Sequence, residues 1–198
     1  TLETTATQPA GIQLGAVLFK DTFDNTSLWS RELSQRGTIS LAGKELSIVL
    51  VEPRAYLASV RSEPDLSNYY AEITASPSLC RGQDEYGLLF HYQSQVDFYR
   101  FSLSCNGQLR LDRLVGGTAA SPQPWLPSAM VPSAAPSQTK LGVWVQGETM
   151  RFYLNGELQF EAQDAYLRHG RFGVFARSAG ETAVTISFSD LQVYQIEP

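Results

Sequence analysis

Chemistry in this chain would come from a small set of aromatic and charged residues. Strand-like alternation sends Arg100, Asp112, Trp144, Arg151 and Tyr153 to the same side of their segments, together with His91, and adds Tyr70 and Glu72 from an earlier segment. Flat rings among charged planar groups are what a sugar site requires, since rings stack on pyranose faces while charged groups bind hydroxyls. Trp125, in a Pro-rich stretch, is placed to cover Trp144, because a tryptophan exposed in mid-strand calls for a partner. The ligand-binding candidates are therefore Tyr70, His91, Arg100, Asp112, Trp125, Trp144, Arg151 and Tyr153. The alternative for the same residues is a polar solvent face of an antiparallel sheet, held by cross-strand ion pairs such as those Arg110 can make.

Catalysis makes a stricter demand. Ordinary glycoside hydrolysis places two carboxyl groups about 5 to 9.5 Å apart across a cleft. Glu72 and Asp112 are the pair that alternation assigns to one face, and His91 is the candidate general base beside them.

The elements that must position these residues are short strands at regular spacing. A first strand runs through Val17-Leu-Phe-Lys-Asp-Thr-Phe, followed by a turn at Asn25-Thr-Ser that drops Trp29 onto a sheet edge. Residues 38–41 and 45–51 form a hairpin about Gly43, and 56–61 and 69–75 are further strands. Residues 85–92, 97–105 and 108–114 make a three-strand meander, with Asn106-Gly107 as a two-residue hairpin signal. Strands resume at 140–146, 149–154, 157–162, 171–177 and 183–194, with Asn155-Gly156 as another tight turn. Asp164 to His169 has room for one helical turn. Residues 116–137 hold five prolines and read as a long surface loop that cannot sustain a ladder.

About a dozen strands suit two packed antiparallel sheets, because one open sheet of that size leaves an apolar face in water; a barrel is the structural alternative. Leu88, Phe90, Tyr92, Tyr99, Phe101, Leu103, Leu109, Leu111, Leu141, Val143 and Val145 form the expected inter-sheet core. Phe152, Leu154, Phe172, Val174 and Phe188 join it.

Composition agrees with one such domain over residues 16–198: 43% of the 198 residues are hydrophobic and 11% aromatic. The formal net charge is −5 with no basic stripe, which argues against nucleic acid as a partner. No run of 18 apolar residues exists to span a membrane as a helix. Cys80 and Cys105 flank a strand-turn-strand segment that returns on itself, so a disulfide is expected; two buried thiols are the alternative. A disulfide persists only in an oxidising compartment, which makes the chain extracytoplasmic, secreted or on the cell surface. Residues 1–15, rich in Thr, Gln, Ala and Gly, read as a flexible tether left by a removed signal segment, with lipid anchoring one form of it. A boundary without biological meaning reads the same way.

The order Phe19-Lys-Asp-Thr-Phe-Asp with Trp29, Tyr86-Gly-Leu-Leu-Phe with Phe98-Tyr-Arg-Phe, Phe152-Tyr-Leu-Asn-Gly, Gly170-Arg-Phe-Gly-Val and Ile186-Ser-Phe-Ser-Asp-Leu resembles a concanavalin A-like (laminin G-like) jelly roll. Within that group it is similar to bacterial 3-keto-disaccharide hydrolase type domains. The resemblance covers Val17 to Tyr194 and rests on strand and turn signatures, which are specific for fold and poor for activity. It implies an all-β, two-sheet antiparallel sandwich. If the chain is an enzyme, it implies elimination beside a keto group with His91 as base. The chain lacks the Glu-x-Asp-x-x-Glu run that sandwich glucanases carry on one strand. Sandwiches of this kind often pair first and last strands beside a structural calcium ion, and Asp21, Asp24 and Asp190 fall near those ends, where turn chemistry is the plainer reading. Asn25-Thr26-Ser27 is a glycosylation sequon in a eukaryotic setting. The leading expectation is a non-catalytic module binding an oligo- or polysaccharide; the alternatives are a sugar hydrolase or lyase acting on 3-keto-glycosides, and a protein-interaction module.

Overall fold

The computed structural model describes residues 9–180 and 183–196. Its strands in chain order are β1 (Leu14–Asp21), β2 (Glu32–Ser34), β3 (Gly37–Ala42), β4 (Glu45–Leu50) and β5 (Tyr56–Val60). Then follow β6 (Tyr69–Leu79), β7 (Glu85–Ser94), β8 (Asp97–Ser104), β9 (Gln108–Val115) and β10 (Thr118–Pro127). The last are β11 (Thr139–Gln146), β12 (Thr149–Leu154), β13 (Glu157–Gln163), β14 (Arg171–Arg177) and β15 (Val184–Ile196). Among the described residues no helix is long and apolar enough to cross a membrane.

Among the described residues nine strands form one sheet, in the order β13-β12-β11-β6-β15-β4-β3-β2 with β1 also on β15. Six form the other, in the order β10-β9-β8-β7-β14-β5. The sheets are antiparallel and pack face to face as the expected sandwich. Period-two alternation explains the packing. Leu88, Phe90, Phe101, Leu109 and Leu111 point inward from the smaller sheet, and Leu141, Val143, Val145 and Phe152 from the larger. Phe101 meets Phe152 with ring centroids 4.9 Å apart, and Phe152 stacks on Phe160 at 4.5 Å. Each such ring removed from water contributes about 1.5 to 3 kcal/mol. Cys80, beyond the end of β6, is bonded to Cys105, beyond the end of β8, with Cα atoms 5.8 Å apart; the bridge ties one sheet to the other.

Four expectations change. The Pro-rich segment is not all loop: Thr118–Pro127 forms β10 on β9. It tolerates prolines because it is an edge strand, whose outer side needs no N–H donors, and because the ladder shifts register between Ala120 and Gln123 and again before Leu126. Asp164 to His169 forms no helical turn. The tether expected over residues 1–15 lies outside the described residues up to residue 8. From Pro9 onward the chain is bound to the sandwich: the Ala10 N–H donates to the Gly156 carbonyl at 3.1 Å and Ile12 is buried.

The fourth change concerns parity in β7. Phe90 points inward as expected, but so does His91, and Tyr92 comes out on the opposite face. The pairing with β14 shifts between Gly173↔Leu89 and Arg171↔Tyr92, so that two residues of β7 face one of β14. That is a β-bulge, and His91 occupies it with φ of 43°. Gly170 packs directly on the His91 carbonyl carbon, where a Cβ would collide. One extra residue flips every later side chain to the other face.

Candidate functional site

The outer face of the six-stranded sheet is built from Tyr56 and Ala58 on β5, Arg171 and Phe175 on β14, Leu89 and Tyr92 on β7, and Phe98 and Arg100 on β8. Leu89 and Phe175 are fully buried there, packed with Phe98 and with Tyr56, Ala58, Tyr92 and Leu114. Tyr56 stacks on Phe175 at 5.7 Å, Tyr92 stacks on Phe98 at 5.5 Å, and the Arg171 guanidinium lies 5.6 Å from the Tyr92 ring centroid. Burial pushes the Tyr56 hydroxyl up to about 12, against the opposing charge of Arg100. It raises Tyr92 as well, with Arg171 opposing. Both phenols are therefore neutral hydrogen-bonding groups at ordinary pH.

A second wall stands beside β5. The segment Leu28 to Ser30 pairs with the sheet edge, Ser30 N–H donating to the Val60 carbonyl at 3.2 Å and Ser62 N–H to the Leu28 carbonyl at 2.8 Å. Ser59 Oγ donates to the Ser30 carbonyl at 2.6 Å. Between this wall and the sheet runs a groove of about 750 Å³, whose floor carries Tyr56, Tyr92 and Phe98 and whose lining includes Glu32, Arg36, Gln95 and Arg171.

The wall is anchored by Asp21. Its carboxylate accepts the Phe23 N–H at 2.7 Å, the Trp29 Nε1–H at 3.0 Å and the Arg61 Nε–H at 2.7 Å, all in buried surroundings. Both oxygens of Asp21, one of the three aspartates weighed for calcium, accept from protein donors. Asp24 accepts from Thr22, and Asp190 from Ser189, at exposed positions. Among the described residues no three His, Cys, Asp or Glu side chains group to hold a metal. Asn25 of the sequon accepts from Ser27 and caps the 3-10 turn Thr26–Leu28.

Beside the groove the same face carries an ion-pair ladder. Arg177 donates to Glu85 at 2.7 Å, Arg110 reaches Glu85 at 3.1 Å and Asp112 at 3.0 Å, and Arg100 donates to Asp112 at 2.7 Å. Trp125 covers this ladder, with the Arg110 guanidinium 4.3 Å from its ring centroid, and Ser121 Oγ donates to Asp112 at 2.6 Å.

The predicted site residues thus divide among three places. Arg100, Asp112 and Trp125 share the outer face of the smaller sheet. Tyr70, Glu72, Trp144, Arg151 and Tyr153 lie on the outer face of the larger one. There Tyr70, Tyr153 and Trp144 pack with Ile12, Tyr194 and Ile196, so the cover of Trp144 is the N-terminal segment and the Arg151 guanidinium, not Trp125. Glu72 accepts from Tyr70 at 3.1 Å and from Lys140 at 3.0 Å. Glu72 and Asp112 therefore stand on opposite outer faces of the sandwich and form no catalytic pair. His91 is sealed in the core, Nδ1 at 2.8 Å from the Leu167 carbonyl and Nε2 at 3.2 Å from that of Ser67, so it has no access to a substrate on either face. Alternation describes these strands up to the bulge in β7, where it fails for His91 and Tyr92, and it cannot say which sheet a strand joins.

Tyr56, Phe98 and Arg171 were missed, and Tyr92 was assigned to the core. The available signal was Gly170 before Arg171, a close-approach glycine opposite the end of β7, which is where a bulge would reverse parity.

Two sheets in this order, joined by a meander and crossovers, make the molecule a jelly-roll sandwich of the concanavalin A-like and galectin-like type. No protein-family model matches the sequence, and no curated protein matches it. Among solved structures the chain is similar to the carbohydrate binding module CBM66 from Bacillus subtilis, with TM-score 0.67 and 15% identity over 86% of this chain and 96% of that one. It is similar to a Bacillus subtilis protein with a galectin-like fold, with TM-score 0.67 and 17% identity over 93% and 98% of the two chains. It is also similar to the Bacillus licheniformis β-glucanase, with TM-score 0.68 and 12% identity over 92% and 99%. At such identities the likeness establishes the fold, and the narrower resemblance to 3-keto-disaccharide hydrolase type domains rests on the sequence alone.

Proposed function

We propose that this domain binds a carbohydrate without cleaving it, in the groove on the outer face of the six-stranded sheet, and that it does so outside the cytoplasm. The groove carries the reading: about 750 Å³ with half-buried Tyr56 and Tyr92 on its floor and Arg36, Arg171 and Glu32 around them. That volume falls in the ordinary range for small-ligand sites, and rings with planar charged groups suit pyranose faces and hydroxyls. Among the described residues Glu32 is the single carboxylate in the groove lining, whereas ordinary glycoside hydrolysis employs two, which favours binding over turnover. The similar solved structures include a carbohydrate binding module and a β-glucanase, which supports a saccharide as the ligand class. The Cys80–Cys105 bridge supports an oxidising compartment.

The test is glycan-array screening of the whole chain, followed by titration of the best ligand into the parent and into Tyr92→Ala. Binding that weakens about tenfold or more on losing the ring supports the groove. Undiminished affinity moves the site elsewhere.

A further inference from the structure

The groove and the ladder beside it carry more positive charge than the chain as a whole would suggest. Arg177, Arg110 and Arg100 share two carboxylates, Glu85 and Asp112. In the groove Arg36 and Arg171 stand with Glu32 alone, and neither arginine makes an ion pair among the described residues. Five arginines therefore face three carboxylates on a chain whose formal net charge is −5. A cationic patch on an acidic protein attracts an anionic ligand, which the acidic remainder of the surface repels.

Arg171 is the better placed of the two unpaired groups. The β7 bulge sets it opposite Tyr92 in the ladder, and its guanidinium is held 5.6 Å from the centroid of that ring. Ring contact limits the wandering of the long side chain while leaving the planar fork without a carboxylate partner. A guanidinium in this state matches a carboxylate by two parallel hydrogen bonds, which an ammonium cannot do. The adjoining Tyr92 and Tyr56 rings then offer an apolar surface for the sugar ring that bears the acid.

Resting on the carbohydrate-binding reading, we infer that the groove selects an acidic saccharide, a uronate-type sugar whose carboxylate pairs with Arg171 and is attracted by Arg36. Neutral glycans of the same length lack the group that this pair would hold.

Three probes distinguish the outcomes by titration calorimetry: tetragalacturonate, laminaritetraose as a neutral tetramer, and dextran sulfate. Tetragalacturonate is expected to bind, to weaken as salt rises, and to lose about tenfold or more in affinity in Arg171→Gln. Arg171→Lys keeps the charge without the fork and is expected to fall between parent and Arg171→Gln. Lys20→Gln, on an exposed position of β1 in the other sheet, removes the same charge and is expected to leave affinity unchanged. Thermal melts of each variant identify any that fail to fold, and the salt dependence of the parent provides a readout that needs no variant. If laminaritetraose binds as tightly as tetragalacturonate, or Arg171→Gln binds tetragalacturonate as well as the parent, the acidic preference is wrong and the carbohydrate reading stands. Binding of dextran sulfate alone overturns the uronate assignment. If no glycan of any charge binds, the carbohydrate reading falls with it.

Discussion

The imidazole of His91 lies in the sandwich core with both nitrogens at backbone carbonyls, while the ring of Tyr92, the next residue, stacks on Phe98 outside the sheet at 5.5 Å. Two successive residues of an ordinary strand also face opposite ways, but here the bulge makes His91 the second consecutive inward residue after Phe90. The groove exists in its present form because of that extra residue.

Replacing Gly170 by Ala puts a methyl group against the His91 backbone and should destabilise the fold by about 1 to 3 kcal/mol, as overpacking does. Chemical denaturation of the variant measures it. A Gly170→Ala protein with unchanged midpoint would mean that the bulge has room to relax.

His91 makes stability depend on pH in a defined direction. Burial holds its folded-state pKa below the ordinary value, with the Leu167 and Ser67 carbonyls partly opposing. The unfolded chain takes up a proton near pH about 6.5 that the folded chain refuses, so stability is complete above that value and is lost as pH falls from it towards the folded pKa. Urea midpoints between neutral and mildly acidic pH, taken in a His169→Gln background to remove the other histidine, should show this loss. His91→Asn, which accepts the left-handed backbone at this position, should flatten it. An equally steep loss in His91→Asn would assign the dependence to another group.

The Cys80–Cys105 bridge closes a segment with a sequence separation of 25, for which chain entropy gives a stabilisation of about 3.5 kcal/mol. The Cys80→Ser, Cys105→Ser double variant should lose about that much, and the parent should melt lower when reductant is added. A melting temperature indifferent to reductant would remove the bridge from any account of stability.

Asp21 holds the groove wall by binding Arg61 and Trp29 together. Asp21→Asn leaves a buried arginine without its counter-charge and should cost about 3 to 5 kcal/mol. The cost should be the same in calcium and in chelator, since protein donors occupy both carboxylate oxygens. A cost seen only with calcium present would restore a metal to this site.

Much of the architecture was legible in the chain. Hairpin turns at Asn155-Gly156 and around Gly43 and Asn106-Gly107 separate runs whose alternation matches the observed strands within a few residues, and Leu88, Phe101, Val143 and Phe188 are buried as alternation requires. Local backbone preference and a period of two are properties of a segment by itself, so sequence determines them. Which strand lies beside which is a matter of long-range pairing. Glu72 and Asp112 have the same local pattern yet belong to opposite outer faces, because β6 joined one sheet and β9 the other. The edge position that lets the Pro-rich β10 pair, the packing of Ile12 into one buried cluster with Tyr70 and Trp144, and the parity reversal at His91 likewise come from neighbours distant in sequence. Sequence determined most of the strands and, outside the β7 bulge, their inward residues; tertiary structure decided which polar and aromatic residues share a surface, and with that the location of the groove.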